Sequence, residues 1–318
     1  MRPAEPPEAA PGESASASAG AASDDAASDD EEPETGASAD AASADAASAE
    51  KRAPAPPEGM LLVPGGTFVM GLDHENAIPD ERDEHEVTLP PFFLDTTEVT
   101  NADYAKCVEA GVCRPPKEPD TEKAGYAPLK RFRTPDRPVS SVSQADAATY
   151  CEWRGKRLPR EAEMERAARG DDGRRYPWGD DPPRPELAVY GRSVTEPVGS
   201  RPAGAGPYGH LDLAGNVWEW TADLYDPFAY RRETADRGVP ADCATIRRTQ
   251  DRLRAAGREG FTGTNPIPRA CDHVLRAGAF NYFEWGLRGS NRVHHPGHWR
   301  MIMAGFRCAR DAHPARDG

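Results

Sequence analysis

Large apolar side chains are almost missing from the first 58 residues and then arrive in short bursts whose spacing predicts the elements. Met60–Val63 and Thr67–Met70 are two apolar runs flanking Pro64-Gly65-Gly66, the pattern of a hairpin with a turn that needs positive φ. Glu86–Leu89 and Phe92–Thr100 are rich in β-branched and aromatic residues and predict strands. The period then lengthens. Thr100 or Asn101 can cap a helix carrying Asp103, Tyr104, Cys107 and Val108, stopped by Gly111. Ser143 can cap a second, with Ala147, Ala148, Cys151 and Trp153, stopped by Gly155. A third starts near Pro159-Arg160-Glu161, with acids in its first turn, and ends before Gly170. Beyond Gly170 the pattern thins to a turn at Tyr176–Gly179 and very short strands at Ala188–Gly191 and Pro197–Gly199. An alternating stretch at Leu211–Trp220 follows. An insertion at about 226–273 contains a helical run, Ala244 to Ala256, and strands are predicted at Val274–Phe280 and Ala304–Ala309. The sum is a single mixed α+β domain, 59–312, with low regular content and a frayed end at 313–318.

Composition sharpens the first boundary. Residues 1–58 are built from Ala, Ser, Pro, Gly and acids, with no aromatic and no β-branched apolar side chain, so they cannot bury enough surface to offset ordering entropy. They read as a disordered tail or tether. Fourteen acids against three bases there account for −11 of the chain's −14, leaving an ordinary balance for the domain. An acidic tail and the lack of a basic patch exclude nucleic acid as the expected partner. No apolar run is long enough to span a membrane, and Met1-Arg2 leads into Pro and Glu with no secretory leader visible.

Six cysteines without a Cys-x-x-Cys pair fit disulfides better than a zinc site. Their spacing favours Cys107–Cys113, Cys151–Cys308 and Cys243–Cys271 among many pairings. That set implies an oxidising, extracytoplasmic compartment; six reduced thiols in the cytosol are the alternative. Asp212 and Glu219 bracket a Gly215-Asn216 turn, and with the carbonyls of Gly215 and Val217 they form an oxygen set of the kind Ca²⁺ takes. The plain alternative is a strand with its tryptophans in the core and its acids in water.

The motifs in order, Pro64-Gly-Gly-Thr-Phe-Val-Met-Gly71, Thr97-Glu-Val-Thr-Asn101, Gly155-Lys-Arg-Leu-Pro-Arg-Glu-Ala-Glu163, Tyr176-Pro-Trp-Gly179, Leu213-Ala-Gly-Asn-Val-Trp-Glu-Trp220 and Gly305-Phe-Arg307, closely resemble those of the formylglycine-generating enzyme, or sulfatase-modifying factor, family. The resemblance spans about 59–310 and implies a C-type-lectin-like fold, stabilised by disulfides and by structural calcium at Asp212, Gly215, Val217 and Glu219. It also implies the Cys151–Cys308 bridge. A second family calcium site loses its side-chain oxygen here, because Val189 replaces the asparagine.

The resemblance further implies a copper-binding thiolate pair that oxidises a substrate cysteine. Counting from Phe280, those positions are Leu287 and Arg292, and no cysteine lies between Cys271 and Cys308. The expected function is therefore a family member that is not a formylglycine-generating oxidase, an extracytoplasmic binding or accessory domain for a protein or peptide partner in the envelope, with a tail or lipid tether. The alternative is a metal-dependent oxidase or maturation enzyme that uses iron or copper on His294, His295 and His298. Trp218, Trp285, Trp299, Arg288, Asn291 and Arg292 are the expected lining of a binding groove, with core packing and structural ion pairs as the competing role for the arginines.

Overall fold

The computed structural model describes residues 55–75, 77–231, 242–257 and 271–312. The tail at 1–54, most of the predicted insertion outside its helix, and the end at 313–318 lie outside the described residues. Three small sheets carry the domain. β1 (Met60–Val63), β4 (Phe92–Asp95) and β9 (Ala309–Asp311) form one, in the order β1-β4-β9. β2 (Gly66–Met70) and β3 (His85–Leu89) form a second. β5 (Trp218–Leu224), β6 (Asp272–Arg276), β7 (Val293–Pro296) and β8 (Ala304–Gly305) form the third, in the order β7-β6-β5-β8, with β8 parallel to β5.

The predicted 60–70 hairpin is corrected. β1 pairs with β4 and β2 with β3, so the two runs enter different sheets. The cause is Pro64-Gly65: a proline offers no ladder N–H, and a Cβ on Gly65 would stand 2.7 Å from Pro91 Cδ. The chain crosses between sheets at that point and does not fold back.

The helices follow their caps. α1 (Asn101–Glu109) starts at Thr100, whose hydroxyl accepts the Asp103 N–H at 3.1 Å. α2 (Leu129–Phe132) is a single turn in the Pro- and Lys-rich connection. α3 (Gln144–Trp153) has a reciprocal box between Ser143 and Asp146. α4 (Glu161–Arg169) ends at Gly170, and α5 (Cys243–Ala255) is capped by Asp242. All six cysteines are bridged, as Cys107–Cys113, Cys151–Cys308 and Cys243–Cys271. The first two bridges lie in the largest apolar cluster, with Trp218, Trp220, Tyr104, Tyr150 and Phe306. Among the described residues, no helix is long and apolar enough to cross a membrane.

Candidate functional site

The turn before β5 is set by backbone geometry. Asp212, Gly215 and Asn216 all have left-handed φ, at 54°, 91° and 58°. Gly215 is obligatory there, since a Cβ would stand 2.5 Å from the Val189 carbonyl. The Asn216 side chain accepts the Glu196 N–H at 3.0 Å, which ties the turn to the preceding loop. Asp212 accepts the Gly199 N–H at 2.5 Å. Glu219 points the other way from Trp218 and Trp220, and both its oxygens receive the Arg307 guanidinium, at 2.7 and 2.8 Å. Arg307 also donates to the Leu211 and Asp212 carbonyls.

Glu98 completes this cluster, and the motif spacing gave no sign of it. It is buried, with its carboxyl beside that of Asp212. Burial, then the neighbouring charges of Asp212 and Glu219, push its carboxyl well up. Asp212 and Glu219 are likewise raised, first by burial. Three buried carboxylates thus face one guanidinium. Burial favours the protonated form of these carboxyls, and a cation at the turn would have to displace those protons. Glu219 is also fully engaged by Arg307, and among the described residues no group of three or more His, Cys, Asp or Glu is arranged to hold a metal ion.

His210 sits beside the same arginine. Burial, reinforced by Arg307, pushes its imidazole down to about 4. The folded state therefore keeps His210 neutral while the unfolded chain protonates near the ordinary 6.5. Its stability contribution is full above that value and falls away as pH drops towards 4, by roughly 3 kcal/mol in total. His210→Leu should flatten the acid limb of a urea-denaturation stability profile between neutral and acidic pH. Profiles that run parallel for variant and wild type would refute this.

The second half of the site lies where α4, β6 and the 288–292 loop meet. Glu161 and Glu165, one turn apart on α4, both point inward. Arg292 meets Glu161 with two bonds of 2.7 Å, and Arg276 lies 3.3 Å from the same carboxylate. Glu165 takes Arg276 and Arg169. Burial alone would raise Glu165, but the two guanidinia hold it below the usual carboxylate range. Arg288 and Asn291 both donate to Glu81, at 2.8 and 2.7 Å, pinning the 72–85 loop over the centre. Arg292 is also sandwiched between Tyr225 and Tyr230, 4.9 and 4.5 Å from the ring centroids. Leu287 is fully buried against Tyr176, Ala188 and Ala214.

Several expectations change here. Trp218, Arg288, Asn291 and Arg292 are buried, the three polar ones held by Glu81 and Glu161, so they do not line an open groove. Trp285 does reach the surface at 36% exposure, next to Phe283 at 68%. The three histidines do not converge either. His294 is buried, with Nδ1 2.9 Å from Asp272 and its ring stacked on Tyr225. His295, next along β7, stacks on Trp299, and His298 lines a surface cleft. Sequence reasoning missed Glu81, Glu98, Glu165 and Asp272. An acid beside an apolar position carries no mark of whether a distant arginine will meet it.

The family profile described as the sulfatase-modifying factor enzyme 1-like domain matches residues 45–312. The chain belongs to this family. It is 32% identical to the formylglycine-generating enzyme of Streptomyces coelicolor, over 81% of this chain and 91% of that one. It is 34% identical to the inactive C-alpha-formylglycine-generating enzyme 2 of Mus musculus, over 53% and 70%. Against the hercynine oxygenase of Mycolicibacterium smegmatis the identity is 32%, over 53% of this chain and only 46% of that protein. The crystallised PvdO from Pseudomonas aeruginosa superimposes with a TM-score of 0.58 at 26% identity, covering 79% and 94% of the two chains.

Proposed function

We propose that this protein is a non-oxidising member of the sulfatase-modifying factor family, an extracytoplasmic domain that binds a peptide or protein partner. One observation carries the reading: every cysteine is in a disulfide, and the two positions that would hold copper are a core leucine and an arginine locked onto Glu161. A thiolate pair is the ligand set Cu(I) requires, and this chain has none to offer. The short 3₁₀ turn Glu284–Leu287 plants Leu287 in the core and turns Phe283 and Trp285 outward. Exposed aromatics over a rigid base are the usual anchors of a recognition surface. The similarity to a relative named as inactive adds support, as do the three bridges for an oxidising compartment. The redox-metal alternative needs His294, His295 and His298 on one ion, and they face apart.

The test has two arms. After exposure to Cu(I) and O₂, the protein should leave a cysteine-bearing sulfatase peptide unoxidised; aldehyde formation would overturn the reading. Panning a peptide library on the folded protein should retain sequences that the Phe283→Ala/Trp285→Ala variant does not hold. Retention of nothing, or equal retention by the variant, would sink the binding surface.

Calcium belongs to the same proposal. Asp212 and the carbonyls of Gly215 and Val217 would hold it, beside Glu219 in its clamp, with the Glu98 carboxyl buried next to Asp212. When bound it supplies a structural brace and no chemistry. Chelation should lower the melting temperature of the wild type and leave Asp212→Ala nearly unmoved; an unchanged wild-type curve refutes the ion.

A further inference from the structure

A separate feature lies on the far side of β7, where the function proposed above makes no use of it. A cleft of about 380 Å³ is lined by Lys117, His298, Trp299, Arg300 and Met301. Its indole is held but not hidden. Trp299 stacks on His295 with centroids 5.2 Å apart and planes 21° from parallel, yet remains 45% exposed. The turn carrying it is fixed from both ends, because Gln144 donates its N–H to the Gly297 carbonyl and Trp299 donates to Pro296. Gly297 lies so close to His273 that a Cβ would stand 2.6 Å from that ring.

Charge gathers at the same place. Arg133 donates to the Lys117 carbonyl at 2.9 Å, and burial together with nearby Arg300 pushes its guanidinium down. Arg114 stands 2.8 Å from Asp146 on the other flank. The acids facing this group are Asp146, 3.3 Å from Arg300 Nε, and Glu118 beside Arg133. Four cations thus meet two carboxylates, a local excess of positive charge in a chain whose net charge is −14. Arg300 spends Nη2 on the Pro115 carbonyl and turns Nε to Asp146, so Nη1 enters neither contact.

The lips are joined by a strained residue. Ser141 has φ 61°, a left-handed conformation that costs a non-glycine residue energy. Its N–H reaches Met301 and its carbonyl accepts from Lys117, so one residue spaces the two lining segments. Its hydroxyl is fully buried and has no partner. Strain of this kind persists where surrounding structure enforces it, and it clusters at ligand clamps.

We infer that this cleft binds a small aromatic anion, an aryl phosphate or aryl carboxylate, whose ring lies on Trp299 and whose charge meets Lys117 and Arg300. An indole face and a guanidinium on adjacent residues match a flat ring bearing an anionic group, while neither a bare anion nor a neutral ring engages both.

Titration calorimetry and tryptophan fluorescence on the full chain test it, with phenyl phosphate, benzoate, inorganic phosphate and phenol as probes. Phenyl phosphate or benzoate should bind saturably, and the tighter of the two identifies the anion. Inorganic phosphate and phenol should each bind at least about tenfold more weakly, the scale of one lost stacking or charged contact. Trp299→Ala should weaken the aromatic anion by about tenfold, and Lys117→Glu by at least as much, with unchanged circular dichroism and melting temperature. Both residues are exposed, which keeps the fold out of the comparison. Phe283→Ala/Trp285→Ala should leave this binding untouched, so failure here is distinct from failure of the peptide surface. No saturable binding of either aromatic anion, equal binding of inorganic phosphate, or indifference to Trp299→Ala would each overturn the inference.

Discussion

Arg307→Met should cost about 3–5 kcal/mol of stability and lower the melting temperature by on the order of 10 °C. Arg307 is fully buried and binds five residues at once, through both oxygens of Glu219 and the carbonyls of Asp95, Thr96, Leu211 and Asp212. Methionine fills similar volume, so the loss is electrostatic. It would leave Glu98, Asp212 and Glu219 buried without that guanidinium. The reason such a loss is large is asymmetry: a buried ion pair gains little over an apolar pair, but one abandoned charge bears its full desolvation cost. Two controls separate this from a packing defect. Arg307→Met/Glu219→Gln should recover part of the loss, and the deficit should shrink in acid as the carboxylates, already raised by burial, take up protons. Denaturant melts of the three proteins decide it. An Arg307→Met variant that unfolds with the wild type would refute the electrostatic account.

The Cys151–Cys308 bridge should be worth about 5 kcal/mol, and the Cys107–Cys113 bridge only about 2, in the chain-entropy description. The difference comes from loop length. The first closes a separation of 157 residues and the second a separation of 6. Cys151 and Cys308 also lie inside the largest apolar cluster, where α3 meets the strands around β9, so the bridge joins early and late parts of the chain. Paired alanine variants measured by urea denaturation should show the long bridge as clearly the costlier loss. Equal losses, or a larger one for Cys107→Ala/Cys113→Ala, would contradict the entropic ranking.

Much of the site's frame was legible in the residues. The caps at Thr100 and Ser143, the Gly215-Asn216 turn, the low regular content and the missing thiols are all local facts. Each depends on a few neighbouring side chains or on one backbone angle. The pairing of the first two strands was not legible, because Pro64-Gly65 reads equally as a hairpin turn and as a crossover. Its role was settled by Pro91, packed against Gly65 from the connection between β3 and β4.

The groove shows the same limit more sharply. Trp218, Arg288, Asn291 and Arg292 look from the sequence like a row of recognition groups, yet Glu81 and Glu161 draw the three polar ones inward from positions over a hundred residues away. Trp285, four residues beyond Asn281 in the same segment, escapes to the surface. By itself the sequence determined the fold family, and its cysteine spacing favoured the bridges that the structure then showed. These are matters of composition and order. Only the tertiary structure decided which charges are structural and which aromatics are presented, because burial and ion pairing are set by contacts between segments that sequence distance does not encode.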